Sequence, residues 1–298
     1  MSGSRRLVVC WCRIIGVLLC LGLLQACSAI KLGYNNAPEL VYWWLDSYAD
    51  LTDLQSLKAR DDLARLQQWH RTTELPKIAE LLQTAQQIAP GNTSGDQVCG
   101  LLVDVRARIE AAVAQAEPAA FTLAVGLSAA QLGRIEAKFA KTNAEWRDDW
   151  MTGNLGKRQA KRLKVAVERS EQLYGNLEER QVAVLRDFIA GSDFDAQISY
   201  AERLRRQQDL LQTLRQTSAL SGEARPGVAQ ATAAVHAYLE RAVHSPNPAY
   251  RAYLDKEIRD NCKAFAQLHN GTTPTQREHA VRRLAAYERD ARELASQR

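Results

Sequence analysis

No run in these 298 residues alternates apolar and polar side chains for long enough to read as a strand, which excludes α/β and all-β folds. The sequence also lacks a His-Glu-x-x-His pair, a Gly-x-Ser-x-Gly elbow and a glycine loop of the kind that cradles phosphate. The common zinc-peptidase, serine-hydrolase and nucleotide-binding chemistries go with them. His70, His236, His244, His269 and His279 are never spaced by four, so surface or capping roles are expected for them. Adjacent acids such as Asp61-Asp62, Asp148-Asp149 and Glu178-Glu179 splay about 100° apart on a helix and do not converge on a substrate. None of the six cysteines stands in a Cys-x-x-Cys pair. The expectation is no metal, no cofactor and no enzymatic centre.

What is present begins at the N-terminus. Residues 1–26 carry Arg5, Arg6 and Arg13 and no acid, and residues 14–24 are almost wholly apolar. A basic start, a short apolar run and a small residue before the cut describe a secretory signal, and the run is too short to cross a bilayer. Leu24-Gln25-Ala26-Cys27 resembles the lipobox of bacterial lipoproteins. That resemblance implies removal of residues 1–26, a diacylglyceryl group on Cys27 and acylation, with palmitate or a similar chain, of its new amine. Ser28, in place of Asp, implies export to the outer membrane by analogy with that class. An ordinary signal peptide or an uncleaved anchor is the alternative. The expected organisation is a signal over 1–26, a lipidated N-terminus and short polar tether over 27–37, and a single all-helical domain over 38–298. A sub-boundary is best placed at 218–227.

Removal of the signal takes three arginines from a formal charge of +5 and leaves a nearly balanced chain, so charge gives no reason to expect a nucleic-acid partner. It also removes Cys10, Cys12 and Cys20. With Cys27 lipidated, Cys99 and Cys262 remain, and in an oxidising compartment they are a candidate disulfide; two buried free thiols are the alternative.

The body reads as helix after helix. Thr52-x-x-Gln55 and Ser128-x-x-Gln131 are capping boxes, and Asn176-x-x-Glu179 is a close variant. Three-four spacing joins Val98, Leu101 or Leu102, Val105, Ile109 and Val113, then Leu132, Ile135, Phe139, Trp146 and Trp150, and later Leu254, Ile258, Cys262 and Phe265. Pro90-Gly91-Asn92, Gly153-Asn154, Gly175-Asn176, Gly191-Ser192 and Pro246-Asn247-Pro248 punctuate the rows. Helices of about 12–25 residues between short turns predict an all-α bundle or curved array of antiparallel helical hairpins.

Cys27-Ser28, Leu32-Gly33-Tyr34-Asn35-Asn36, Tyr42-Trp43-Trp44-Leu45-Asp46 and the Trp69–Pro76 stretch resemble a family of proteobacterial lipoproteins of unknown function. The resemblance implies location and helicity and brings no catalytic residues. Leu127-Ser128-Ala129-Ala130-Gln131 and Leu177-Glu178-Glu179-Arg180-Gln181 resemble the paired Leu-Thr-x-x-Gln segments of helical periplasmic stress proteins, some of them ATP-independent chaperones; neither copy has the threonine.

Two features admit a binding role. Lys157, Arg158, Lys161, Arg162 and Lys164 place like charges at i,i+4, which needs an acidic offset. Internal pairing with Glu145, Asp148 and Asp149 is favoured over an anionic-lipid patch. Trp43 and Trp44 suggest a membrane interface, but packing of one of them into the core is favoured. The resulting expectation is a lipid-anchored, periplasm-facing binding or envelope-structural protein, membrane-bound through Cys27 and partnered by an envelope protein or anionic lipid. A chaperone-like client binder and a cell-wall-acting enzyme are the alternatives.

Overall fold

The computed structural model of the chain describes residues 30–219 and 226–297, so Cys27, its lipobox and the middle of the 218–227 boundary lie outside it. Among the described residues there is no strand. A helical turn at 30–35 leads into α1 (Ala37–Ala49), α2 (Asp53–Trp69) and a π-helical turn (His70–Glu74). There follow α3 (Leu75–Ile88), α4 (Gly95–Gly126), α5 (Ala129–Trp150), α6 (Leu155–Tyr174) and α7 (Glu179–Gly191). The chain ends with α8 (Ala196–Ala219), α9 (Pro226–Val243), α10 (Pro248–Asn270) and α11 (Pro274–Ser296). No described helix is long and apolar enough to cross a membrane.

The boxes at Thr52 and Ser128 cap α2 and α5 as expected, and further boxes at Ser94 and Thr273 open α4 and α11. Asn176 does not cap α7. That helix starts two residues later, where the Glu178 N–H donates to Gln181 Oε1 at 2.8 Å. The later start lets Leu177, Val184 and Leu185 pack with Tyr174, Leu268 and Ala280. The tether region is also different from expectation, since residues 30–35 are helical and docked. Tyr34 packs against Leu75, Ala79 and Leu294, and its carbonyl accepts from Gln67 Nε2 at 2.5 Å.

The spine is α4, whose 32 residues exceed the expected length and run through Pro118. A proline removes one helical hydrogen bond and crowds the preceding turn; packing against α2, α3, α8, α9 and α10 offsets that cost. At one end of α4, Tyr42, Leu51, Leu127, Leu132, Ile135, Leu211 and Val235 form one core. Two further clusters form around Leu75 and Leu294 and around Tyr174 and Leu268. A disulfide joins Cys99 on α4 to Cys262 on α10, with Cα atoms 5.6 Å apart. Gly95 permits that approach, because a Cβ there would stand 3.0 Å from Lys263 Cγ and 3.3 Å from its backbone.

Each half of the molecule also holds a reciprocal glutamine pair. Gln55 and Gln131 each accept the N–H of their own cap residue through Oε1. Through Nε2 they donate to each other and to the carbonyls of Gly126 and Asp50 respectively. Gln181 and Gln276 repeat the arrangement, with the carbonyls of Gly271 and Asn176 as the outer acceptors.

Candidate functional site

Pro76 determines the local geometry of the site. Its ring would crowd the carbonyl of Thr72 in a regular helix, and the chain instead widens into the π turn, where the Leu75 N–H reaches the His70 carbonyl, an i to i+5 bond. The wider turn buries Arg71 and Glu74. Arg71 donates to Gln297 Oε1 at 2.9 Å and to Asn35 Oδ1 at 3.0 Å, tying the turn to both ends of the described chain. Glu74 is almost fully buried and accepts from Lys77 at 2.8 Å and Arg108 at 3.3 Å.

Beside this turn, α3 and α4 separate into an open groove of about 650 Å³. Its lining includes Ile78, Leu81, Leu82, Leu101, Val105 and Ile109, with His70 and Arg108 as the polar members. The groove stays open because α3 lies along α11 more than along α4. The apolar row through Val105 and Ile109 is therefore uncovered, leaving these two side chains 45% and 58% exposed. The sequence row marked them as the inward face of a helix; no described helix closes over them. His70 Nδ1 shares a 3.0 Å hydrogen bond with the Tyr34 hydroxyl. Burial pushes the His70 pKa down, partly countered by Glu74, and pushes the Tyr34 pKa up. The burial of both groups favours their neutral forms.

The basic run does not form one surface. Lys161 pairs with Asp149 at 2.6 Å, and Arg158 donates to the Gly153 carbonyl at 2.6 Å. Arg162 donates to Ser192 Oγ at 2.7 Å and lies over the Phe194 ring, and Lys164 faces Glu168 at 3.9 Å. Lys157 lays its methylenes beside Gly153. Neither Trp43 nor Trp44 packs into the core: both are more than half exposed, and Tyr42 takes the buried position. A Tyr42 hydroxyl bond to Ser56 Oγ at 3.0 Å fixes that choice.

His269 was read as a surface or capping residue and is instead buried. Its Nε2–H donates to the Gly91 carbonyl at 2.8 Å, so Nδ1 accepts from the Tyr174 hydroxyl at 2.9 Å. Among the described residues no group of three or more His, Cys, Asp or Glu is placed to hold a metal ion.

Fold and groove together define an all-α protein with an apolar concave surface beside a π-helical turn. Residues 47–224, more than half of the chain and the whole groove, match the model of a family described as Family of unknown function (DUF6279), and the protein belongs to that family. No curated protein and no solved structure matches it.

Proposed function

We propose that the protein is a proteobacterial envelope lipoprotein, anchored through lipid on Cys27 and facing the periplasm from the outer membrane, where it acts as a non-enzymatic binding component. The groove carries this reading. Ten of its twelve lining residues are aliphatic, and such walls contribute contact area without a nucleophile or an acid–base pair. A cleft between two helices fits an amphipathic segment of a partner laid along it, and an apolar segment of an envelope protein is the ligand class it suits. The Cys99–Cys262 pairing supports an oxidising compartment. The anionic-lipid partner has less support, because the contacts of Lys161, Arg158 and Arg162 engage them internally. The chaperone-like reading draws support from the glutamine pairs, which extend the Leu-Thr-x-x-Gln likeness to Leu51-Thr52-x-x-Gln55.

The test uses the mature protein and the probe 1-anilinonaphthalene-8-sulfonate. The double variant Val105→Asp/Ile109→Asp should bind the probe at least about tenfold more weakly, because the introduced carboxylates must be desolvated against it. Circular dichroism and the thermal midpoint should be unchanged, since both positions are open to water. Equal probe binding by the variant and the parent would remove the groove as the binding surface.

A further inference from the structure

The first helix presents an apolar face that no described residue covers. Helical hydrogen bonding continues across Asn36, whose N–H reaches the Leu32 carbonyl at 3.1 Å while the Leu40 N–H reaches the Asn36 carbonyl at 3.0 Å. Positions 32, 36, 40, 43, 44 and 47 therefore share one outward arc, since residues three and four apart stack on a helix face. Leu32, Leu40, Trp43 and Trp44 on this arc are each more than half exposed. The arc is about 22 Å long at the helical rise per residue. On α2, Leu54 and Leu57 add two more side chains of the same kind. This helix forms a hairpin with α1 through the Tyr42–Ser56 bond and the Glu39–Arg60 ion pair.

Six large apolar side chains on one hairpin exceed the scattered exposure normal for a soluble surface. We infer that this face lies in the headgroup zone of the membrane that holds the protein, with Trp43 and Trp44 as its interfacial anchors. The inference rests on the reading of Cys27 as lipidated. Cys27 precedes Ile30 by three residues, a reach of at most about 11 Å when extended, so the lipid and the face share one end of the molecule.

The attraction is apolar and not Coulombic. Residues 38–65 hold six acids and three bases, and the bases Arg60, Lys58 and Arg65 are paired with Glu39, Asp62 and Asp61. The occupant is therefore a neutral or zwitterionic lipid surface, on which an amphipathic helix with tryptophans lies in the plane of the interface.

The experiment reconstitutes the full mature protein, extracted from its membrane, into phosphatidylcholine vesicles carrying a headgroup-proximal nitroxide lipid. Tryptophan emission should be quenched, and the quenching should fall at least about threefold in Trp43→Phe/Trp44→Phe, which keeps the face apolar but leaves only the other tryptophans to report. Replacing part of the phosphatidylcholine with anionic phosphatidylglycerol should not increase it. Mass spectrometry of the same sample reads the modification of Cys27. An unlipidated Cys27 overturns the anchor and this inference with it. A lipidated Cys27 without quenching, or with quenching unchanged in the double variant, overturns the inference alone. Quenching that rises steeply with phosphatidylglycerol would also overturn it, by showing charge-driven docking.

Discussion

Replacing Gln181 with alanine should be among the most damaging single substitutions outside the apolar core. The side chain is 1% exposed and makes four hydrogen bonds. Its Oε1 accepts from the Glu178 N–H at 2.8 Å and from Gln276 Nε2 at 2.9 Å. Its Nε2 donates to the Gly271 carbonyl at 3.0 Å and to Gln276 Oε1 at 2.7 Å. The amide orientation follows from these partners, since the cap N–H requires an oxygen and the carbonyl requires a donor. At about 1 kcal/mol net per bond, with the Gly271 carbonyl and half of Gln276 left unsatisfied, the loss should be about 3–4 kcal/mol. Gln276→Ala should cost a similar amount. The double variant should cost less than the two together by about 2 kcal/mol, because the two bonds within the pair are lost only once. Gln97 makes the same capping box without a reciprocal partner and is exposed, so Gln97→Ala should cost about 1 kcal/mol or less. Urea denaturation followed by circular dichroism measures all four. A Gln181→Ala loss below about 1 kcal/mol, or strict additivity with Gln276→Ala, would refute the view that the pair acts as one buried unit.

Reduction of the Cys99–Cys262 bridge, which spans 163 residues, should lower stability by about 5 kcal/mol on the chain-entropy model. Urea midpoints with and without reductant test this, and indifference to reductant would show that the bridge does not constrain the unfolded chain. Burial pushes the pKa values of His269 and His70 down. Well above the ordinary histidine value of about 6.5 both are neutral in the folded and the unfolded chain, and their contribution is complete. As pH falls below that value, the unfolded chain binds protons that the folded one resists, and stability declines. The thermal midpoint should therefore drop between about pH 7.5 and 5, less steeply in His269→Gln, which retains a donor for the Gly91 carbonyl. An identical slope in the variant would assign the effect to other groups.

The sequence by itself determined the local features. Capping boxes and proline starts act within a few residues, and Thr52, Ser128 and Thr273 sit where their local chemistry requires. The disulfide was legible as well, because Cys99 and Cys262 are the two cysteines beyond the expected signal and lipobox, and Cys262 continues an inward apolar row. Only the tertiary structure decided which helix faces are covered. The row Leu101, Val105 and Ile109 and the row Leu132 and Ile135 both follow helical three-four spacing, yet the first lines an open groove and the second is buried. Periodicity identifies the apolar side of a helix and does not say whether another helix lies against it. The same limit applied to Trp43 and Trp44, since Tyr42 supplied the buried ring through its bond to Ser56. It applied also to His269, whose partners Tyr174 and Gly91 are 95 and 178 residues away in sequence. The glutamine boxes mark the division most closely: each bond from a cap N–H to Oε1 is local and can be read from the chain, whereas each Nε2 bond crosses between helices and exists only once the fold brings two caps together.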